Sequence, residues 1–163
     1  MSDDFEQRLK SAIQRGQRRG QLKDEAARVE HLSEEEFKRL HTGYRLQLSD
    51  RIEKAIDRVA QHFPGFRTET LYGEVGWGAA CYRDDLILSA GRRSNLYSRL
   101  EMTIRPLSGY HVLDLRGKAT IANKEHFNRN HFVPLMEVDV EEFARLIDSW
   151  AIEYAEFFAS RRS

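Results

Sequence analysis

From Phe37 to Phe63 apolar residues recur at intervals of three or four: Phe37, Leu40, Tyr44, Leu48, Ile52, Ala55, Ile56, Val59 and Phe63. In a helix of 3.6 residues per turn that spacing collects them on one stripe, so a long amphipathic helix is predicted over 34–63. Its start is marked by Ser33 and Glu36, the S-x-x-E arrangement in which a hydroxyl accepts from the first turn and a carboxylate reaches back. Its end is marked by Pro64, which has no N–H to donate and biases Phe63 away from helical angles. A helix this long with one apolar stripe needs a surface to cover.

The middle of the chain supplies that surface as strands. In "ETLYGEVGWGAACY" Leu71, Val75, Trp77, Ala79 and Cys81 share one parity, and Gly73, Gly76 and Gly78 suggest bulges. "RDD" is expected to turn the chain into "LILSA", and "GRRSN" reads as a loop. The clearest alternation follows, with Leu96, Leu100, Met102 and Ile104 on one face and Tyr97, Arg99, Glu101, Thr103 and Arg105 on the other. "PLSGY" and "RGK" read as turns. "KEHFNRNHFVP" loses the alternation and reads as a polar connection. Asp139 is the expected cap of a last helix over 140–159, with Glu142 completing a box. That helix would bury Phe143, Leu146, Ile147, Trp150, Tyr154 and one of Phe157 and Phe158. The order is that of an α+β fold: long N-terminal helices, an antiparallel meander sheet of about five strands over 68–138, and a C-terminal amphipathic helix packed on the sheet.

Residues 1–32 stand apart as a charged helical arm, and 33–163 read as a single domain. Phe5, Leu9, Ala12 and Ile13 share a helical face, whereas Gly16 and Gly20, each costing about 1 kcal/mol relative to Ala, predict a kink. Between Arg8 and Lys23 every charged residue is basic. The arm either folds back as a helical hairpin or stands free to bind or to exchange with a second chain.

A length of 163 residues is enough to bury a core without disulfides or a structural metal, and the lone Cys81 has no internal partner. A reducing, cytoplasmic setting is therefore expected. The acidic N-terminus lacks the apolar run of a signal peptide, and no segment approaches the apolar length of a membrane span. Net charge is zero but uneven. Residues 91–130 carry eight basic and three acidic side chains, and those from His131 onward carry three basic and seven acidic.

Two groups of residues invite a function. Arg92, Arg93, Tyr97, Arg99, Arg105, Arg116, Lys118, Lys124 and Arg129 come from consecutive strands and turns, and arginine forks beside exposed aromatics suit anions or nucleic acid. The competing expectation is a solvated sheet face on which Arg pairs with an acidic neighbour, such as Arg99 with Asp114. His126, His131 and His111 are the candidates for acid-base or metal-dependent hydrolysis. The spacing of five between His126 and His131 is wrong for two ligands on one helix face, and Arg129 adds positive charge between them. Cys81 and Ser98 fall on apolar parities and read as buried packing residues. No metal site and no cofactor is expected. The reading that asks least is a non-enzymatic binding or adaptor module for a protein partner, with a homodimer expected and the arginine-rich face as its contact surface.

Overall fold

The computed structural model describes residues 2–29 and 33–161, and the side chains of 4–25 and 33–161. The chain falls into two compact units, residues 1–37 and 38–163. In the first, α1 (Ser2–Val29) is one continuous helix, so Gly16 and Gly20 do not interrupt it. The remaining residues of α1 favour the helix strongly enough to carry both glycines through it. Every side chain from Asp4 to Glu25 is exposed, including Phe5, Leu9, Ile13 and Leu22. The expected turn between the two long helices falls at 30–32, outside the described residues.

Helix α2 (Glu34–His62) starts as predicted, with the Glu36 N–H donating to Ser33 Oγ at 3.3 Å. A five-stranded antiparallel sheet follows, in the spatial order β1 (Arg67–Leu71), β2 (Trp77–Ser89), β3 (Arg92–Ile104), β4 (Val112–Ile121) and β5 (Lys124–Pro134). A short 3-10 turn (Leu135–Glu137) leads to α3 (Val140–Ser160), where Asp139 accepts from the Glu141 N–H at 3.0 Å. Glu142 does not complete the cap. It lies against β5, with Oε1 3.2 Å from His131 Nε2.

Two predicted turns and the predicted polar connection prove to be strand, and so does the predicted "GRRSN" loop from Arg92 onward. "RDD" (83–85) lies inside β2, "RGK" (116–118) lies inside β4, and "KEHFNRNHFVP" is the whole of β5. The real reversals are two-residue hairpins at Ala90-Gly91 and Ala122-Asn123, where all four residues have positive φ, between 49° and 74°. That geometry matches the twist of the flanking strands, and it needs no string of polar residues to announce it. The expected common parity from Leu71 to Cys81 also fails. A turn at 72–76 separates β1 from β2 and sets Leu71 beside Gly78.

Helices α2 and α3 cover one face of the sheet. The core joins Leu48, Ile52 and Ile56 of α2 and Phe143, Ile147 and Tyr154 of α3 to Cys81, Leu100, Met102, Leu113 and Leu115 of the strands, all 1% exposed or less. Leu146 is only half-buried, and of the two candidate phenylalanines Phe158 is buried while Phe157 is exposed. Gly117 shows how close the approach is. A Cβ there would lie 2.6 Å from the Trp150 ring, so the strand can pass beneath α3 only without a side chain at this point.

Candidate functional site

The arginine-rich face divides between different parts of the fold. On the face away from the helices, Arg99 Nη2 donates to Glu69 Oε1 at 2.7 Å, its Nε lies 3.8 Å from Glu101, and its guanidinium sits 5.8 Å from the Tyr82 ring. Asp114, proposed from the sequence as its partner, instead accepts from the Asn130 side-chain amide at 2.9 Å. Arg116 and Lys118 share that face, with Lys118 opposite Glu101. Cations and carboxylates alternate there, as on an ordinary solvated sheet face.

The other arginines lie elsewhere. Arg129 projects to the helix-covered side, where Nη2 reaches Glu153 at 2.7 Å and the guanidinium lies over Phe127 and Trp150 at 4.2 and 5.7 Å. It cannot extend the open face, as the sequence suggested. Arg105 follows the end of β3 and donates to the Val75 carbonyl at 3.3 Å. Arg92 and Arg93, adjacent in a strand, point to opposite sides of the β2–β3 ribbon. Tyr97 is half-buried at the root of that ribbon, and Lys124 is exposed at the start of β5.

The histidines are held apart by α3. His126 packs against Phe157 in a tilted arrangement with centroids 4.1 Å apart, and His131 meets the edge of Phe143 at 5.0 Å beside Glu142. Five residues of extended strand separate them by about 17 Å, too far to share an ion. His111 sits in a turn ahead of β4, its carbonyl accepting from the Leu135 N–H at 3.0 Å. Among the described residues no three His, Cys, Asp or Glu side chains converge as a metal would require. Cys81 is fully buried, and burial pushes its thiol up to about 12. Ser98 is buried as well, its hydroxyl accepting from the Ala122 N–H at 3.0 Å.

A concave site lies between α2 and α3. A trough of about 980 Å³ runs along the outer side of the two helices. Ala55 and Val59 of α2, Phe63 just past its end, and Ala151, Ile152, Ala155 and Ala159 of α3 line it. Small residues four apart on α3 fall on one flank of the helix and hold the trough open. Arg51, Lys54, Arg58 and His62 form the α2 wall, opposite Asp148 and Glu156.

The sequence matches no protein-family model, no curated protein and no solved structure. Geometry must therefore carry the functional reading.

The charges along the trough are not equivalent. Arg51 forms an ion pair with Asp148, and Lys54 Nζ pairs with Asp50 at 2.9 Å. Arg58 on the α2 wall and Glu156 on the α3 wall have no such partner among the described residues, so each wall carries one unpaired charge of opposite sign. Ile152 is 67% exposed on the opposite wall, a large apolar side chain left in water. Sequence reasoning passed over this site because its residues look like surface helix. The available signal was the Ala151-Ala155-Ala159 repeat, which starts at the buried Ala151 and runs along the flank of the core stripe of α3.

Proposed function

We propose that the protein is a non-catalytic binding module that takes an amphipathic helix of a partner protein into the α2–α3 trough. The observation that supports this reading is an apolar floor between two helical walls, with Arg58 unpaired on one and Glu156 unpaired on the other. Helices docked in grooves place apolar residues at i, i+3, i+4 and i+7 into the floor and polar ones on the rim. Here the rim favours acidic residues on the side that meets Arg58 and a basic residue on the side that meets Glu156. No helix among the described residues is long and apolar enough to cross a membrane, and the cytoplasm suits both the lone buried thiol and a protein partner.

The test is fluorescence anisotropy with two designed amphipathic helical peptides that share an apolar face, one with an acidic and a basic flank and one with two basic flanks. The first peptide is expected to bind, and Ala155→Arg, which fills the floor, to weaken it by about tenfold or more. If neither peptide binds, or if Ala155→Arg leaves the affinity unchanged, the reading fails.

A further inference from the structure

The strands β2 and β3 run on well beyond the rest of the sheet. β1 pairs with β2 only from Gly78 to Tyr82, and β4 pairs with β3 only from Arg99 to Ile104. From Arg83 to Ser98 the two strands form a two-stranded ribbon. Its two edges differ. The β3 edge is closed by the β4–β5 turn: the Asn123 N–H donates to the Tyr97 carbonyl at 2.8 Å, the Tyr97 N–H donates to Asn123 Oδ1 at 2.8 Å, and Asn123 Nδ2 donates to the Asn95 carbonyl at 2.7 Å. Among the described residues the β2 edge has no strand beside it past Tyr82.

That open edge carries three consecutive large aliphatic residues, Leu86, Ile87 and Leu88, exposed by 50%, 43% and 72%. Because side chains alternate, Leu86 and Leu88 point to one face and Ile87 to the other, so the ribbon shows apolar surface on both sides. Isolated two-stranded ribbons are marginal in water, and exposed edges are ordinarily protected by charge, proline or a bulge. None of these interrupts Leu86 to Leu88. The base is fixed: Asp85 Oδ2 accepts from Arg83 at 3.0 Å and from Arg161 at 2.8 Å.

We infer that the β2 edge of this ribbon is a dimerisation surface, on which the run from Asp84 to Ala90 pairs antiparallel with the same run of a second copy. Self-complementarity selects the register. With Ile87 opposite Ile87 on the two-fold axis, Leu86 faces Leu88, Asp85 faces Ser89 and Asp84 faces Ala90. Apolar residues meet apolar ones and each aspartate meets a small residue. A two-fold axis at Asp85 sets like charges opposite each other, and one at Leu86 sets Asp84 and Asp85 against Leu88 and Ile87, which strands both carboxylates beside aliphatic surface. The favoured register uses the stretch of β2 that lies beyond β1. Such a contact is isologous and closed, so association stops at two chains.

The experiment is sedimentation equilibrium of the full chain over a concentration series, with oxidative cross-linking of Ile87→Cys. A species of twice the 19.1 kDa chain mass is expected. Ile87→Lys, which sets two cations face to face on the two-fold, and Leu88→Pro, which blocks the edge, should each weaken the dimer at least about tenfold. Ile87 is 43% exposed, so these variants keep the fold, which circular dichroism verifies. Partner Cα atoms across an antiparallel pair lie about 4.5–5.5 Å apart, within disulfide range. Ile87→Cys should therefore form a covalent dimer, and Arg93→Cys on the other strand should not. A chain that is monomeric at every concentration overturns the proposal. So does a dimer that survives both Ile87→Lys and Leu88→Pro, because the contact then lies elsewhere.

Discussion

The two halves of the β2–β3 ribbon are built from the same pair of strands, yet they live in different surroundings. At the root, Ala79, Cys81, Leu100 and Met102 are 4% exposed or less beneath the two helices. At the tip, Leu86, Ile87 and Leu88 face water on both sides. Pairing between the two strands continues without a break from Trp77↔Ile104 to Ser89↔Arg92, so their bonding to each other does not distinguish the halves. What differs is cover. Strand pairing satisfies the backbone, whereas stability comes from apolar area removed from water, and only the root has that.

The largest contrast is expected in cysteine reactivity. Cys81 is buried with its thiol pushed up to about 12, so a thiol reagent meets it only when the root opens. In the Leu88→Cys variant the new thiol should label at least about a thousandfold faster than Cys81, given the several kcal/mol of a typical global opening. Comparable rates at the two positions would show that the root is no better protected than the tip.

A smaller contrast is expected in stability. Gly117→Val drives a side chain into the Trp150 ring, which lies near Phe127 and Arg129, and should cost about 3 kcal/mol in urea denaturation. Leu88→Thr at the tip should change monomer stability by no more than about 0.5 kcal/mol. Equal losses at the two sites would mean that the tip is packed against something after all.

The smallest effect concerns pH. His41 is 4% exposed, with Nε2 2.9 Å from the Arg105 carbonyl at the end of β3, and its ring meets the edge of Trp77. Burial is the main cause that lowers its pKa below the ordinary 6.5, and Arg45 adds to it; the carbonyl acts in the opposite direction without prevailing. The neutral ring therefore stabilises the fold fully above pH 6.5, and that contribution is lost as pH falls through 6.5 toward the lowered value, where the unfolded chain takes up the proton first. Urea midpoints measured from pH 7.5 to 5 should decline for the native sequence and decline less for His41→Gln. An identical decline in both would remove His41 from the root's pH response.

Where the sequence read correctly, the signal lay within a single segment. The stripe of α2, the caps at Ser33 and Asp139, the alternation from Leu96 to Ile104 and the burial of Cys81 all follow from residues close together in the chain. Where it misled, the deciding partner was distant. Polar "RDD" and "RGK" look like turns because Asp85 and Gly117 look solvated or flexible in isolation. Arg161 explains the first and Trp150 the second. His126 and His131 looked like a loop pair because nothing local revealed that Phe157, Glu142 and Phe143 of α3 would hold them apart on a strand.

The sequence by itself determined that this chain folds as helices with an antiparallel sheet and, within α2, α3 and Leu96 to Ile104 of β3, which side chains share a face, because helical and strand periods are fixed by local backbone geometry. Only the tertiary structure decided which faces are covered. It paired the open-face arginine Arg99 with Glu69, turned Arg129 inward, opened a trough between α2 and α3, and left the edge of β2 without a neighbour. Cover depends on where segments far apart in the chain come to lie, and no local pattern of residues records that.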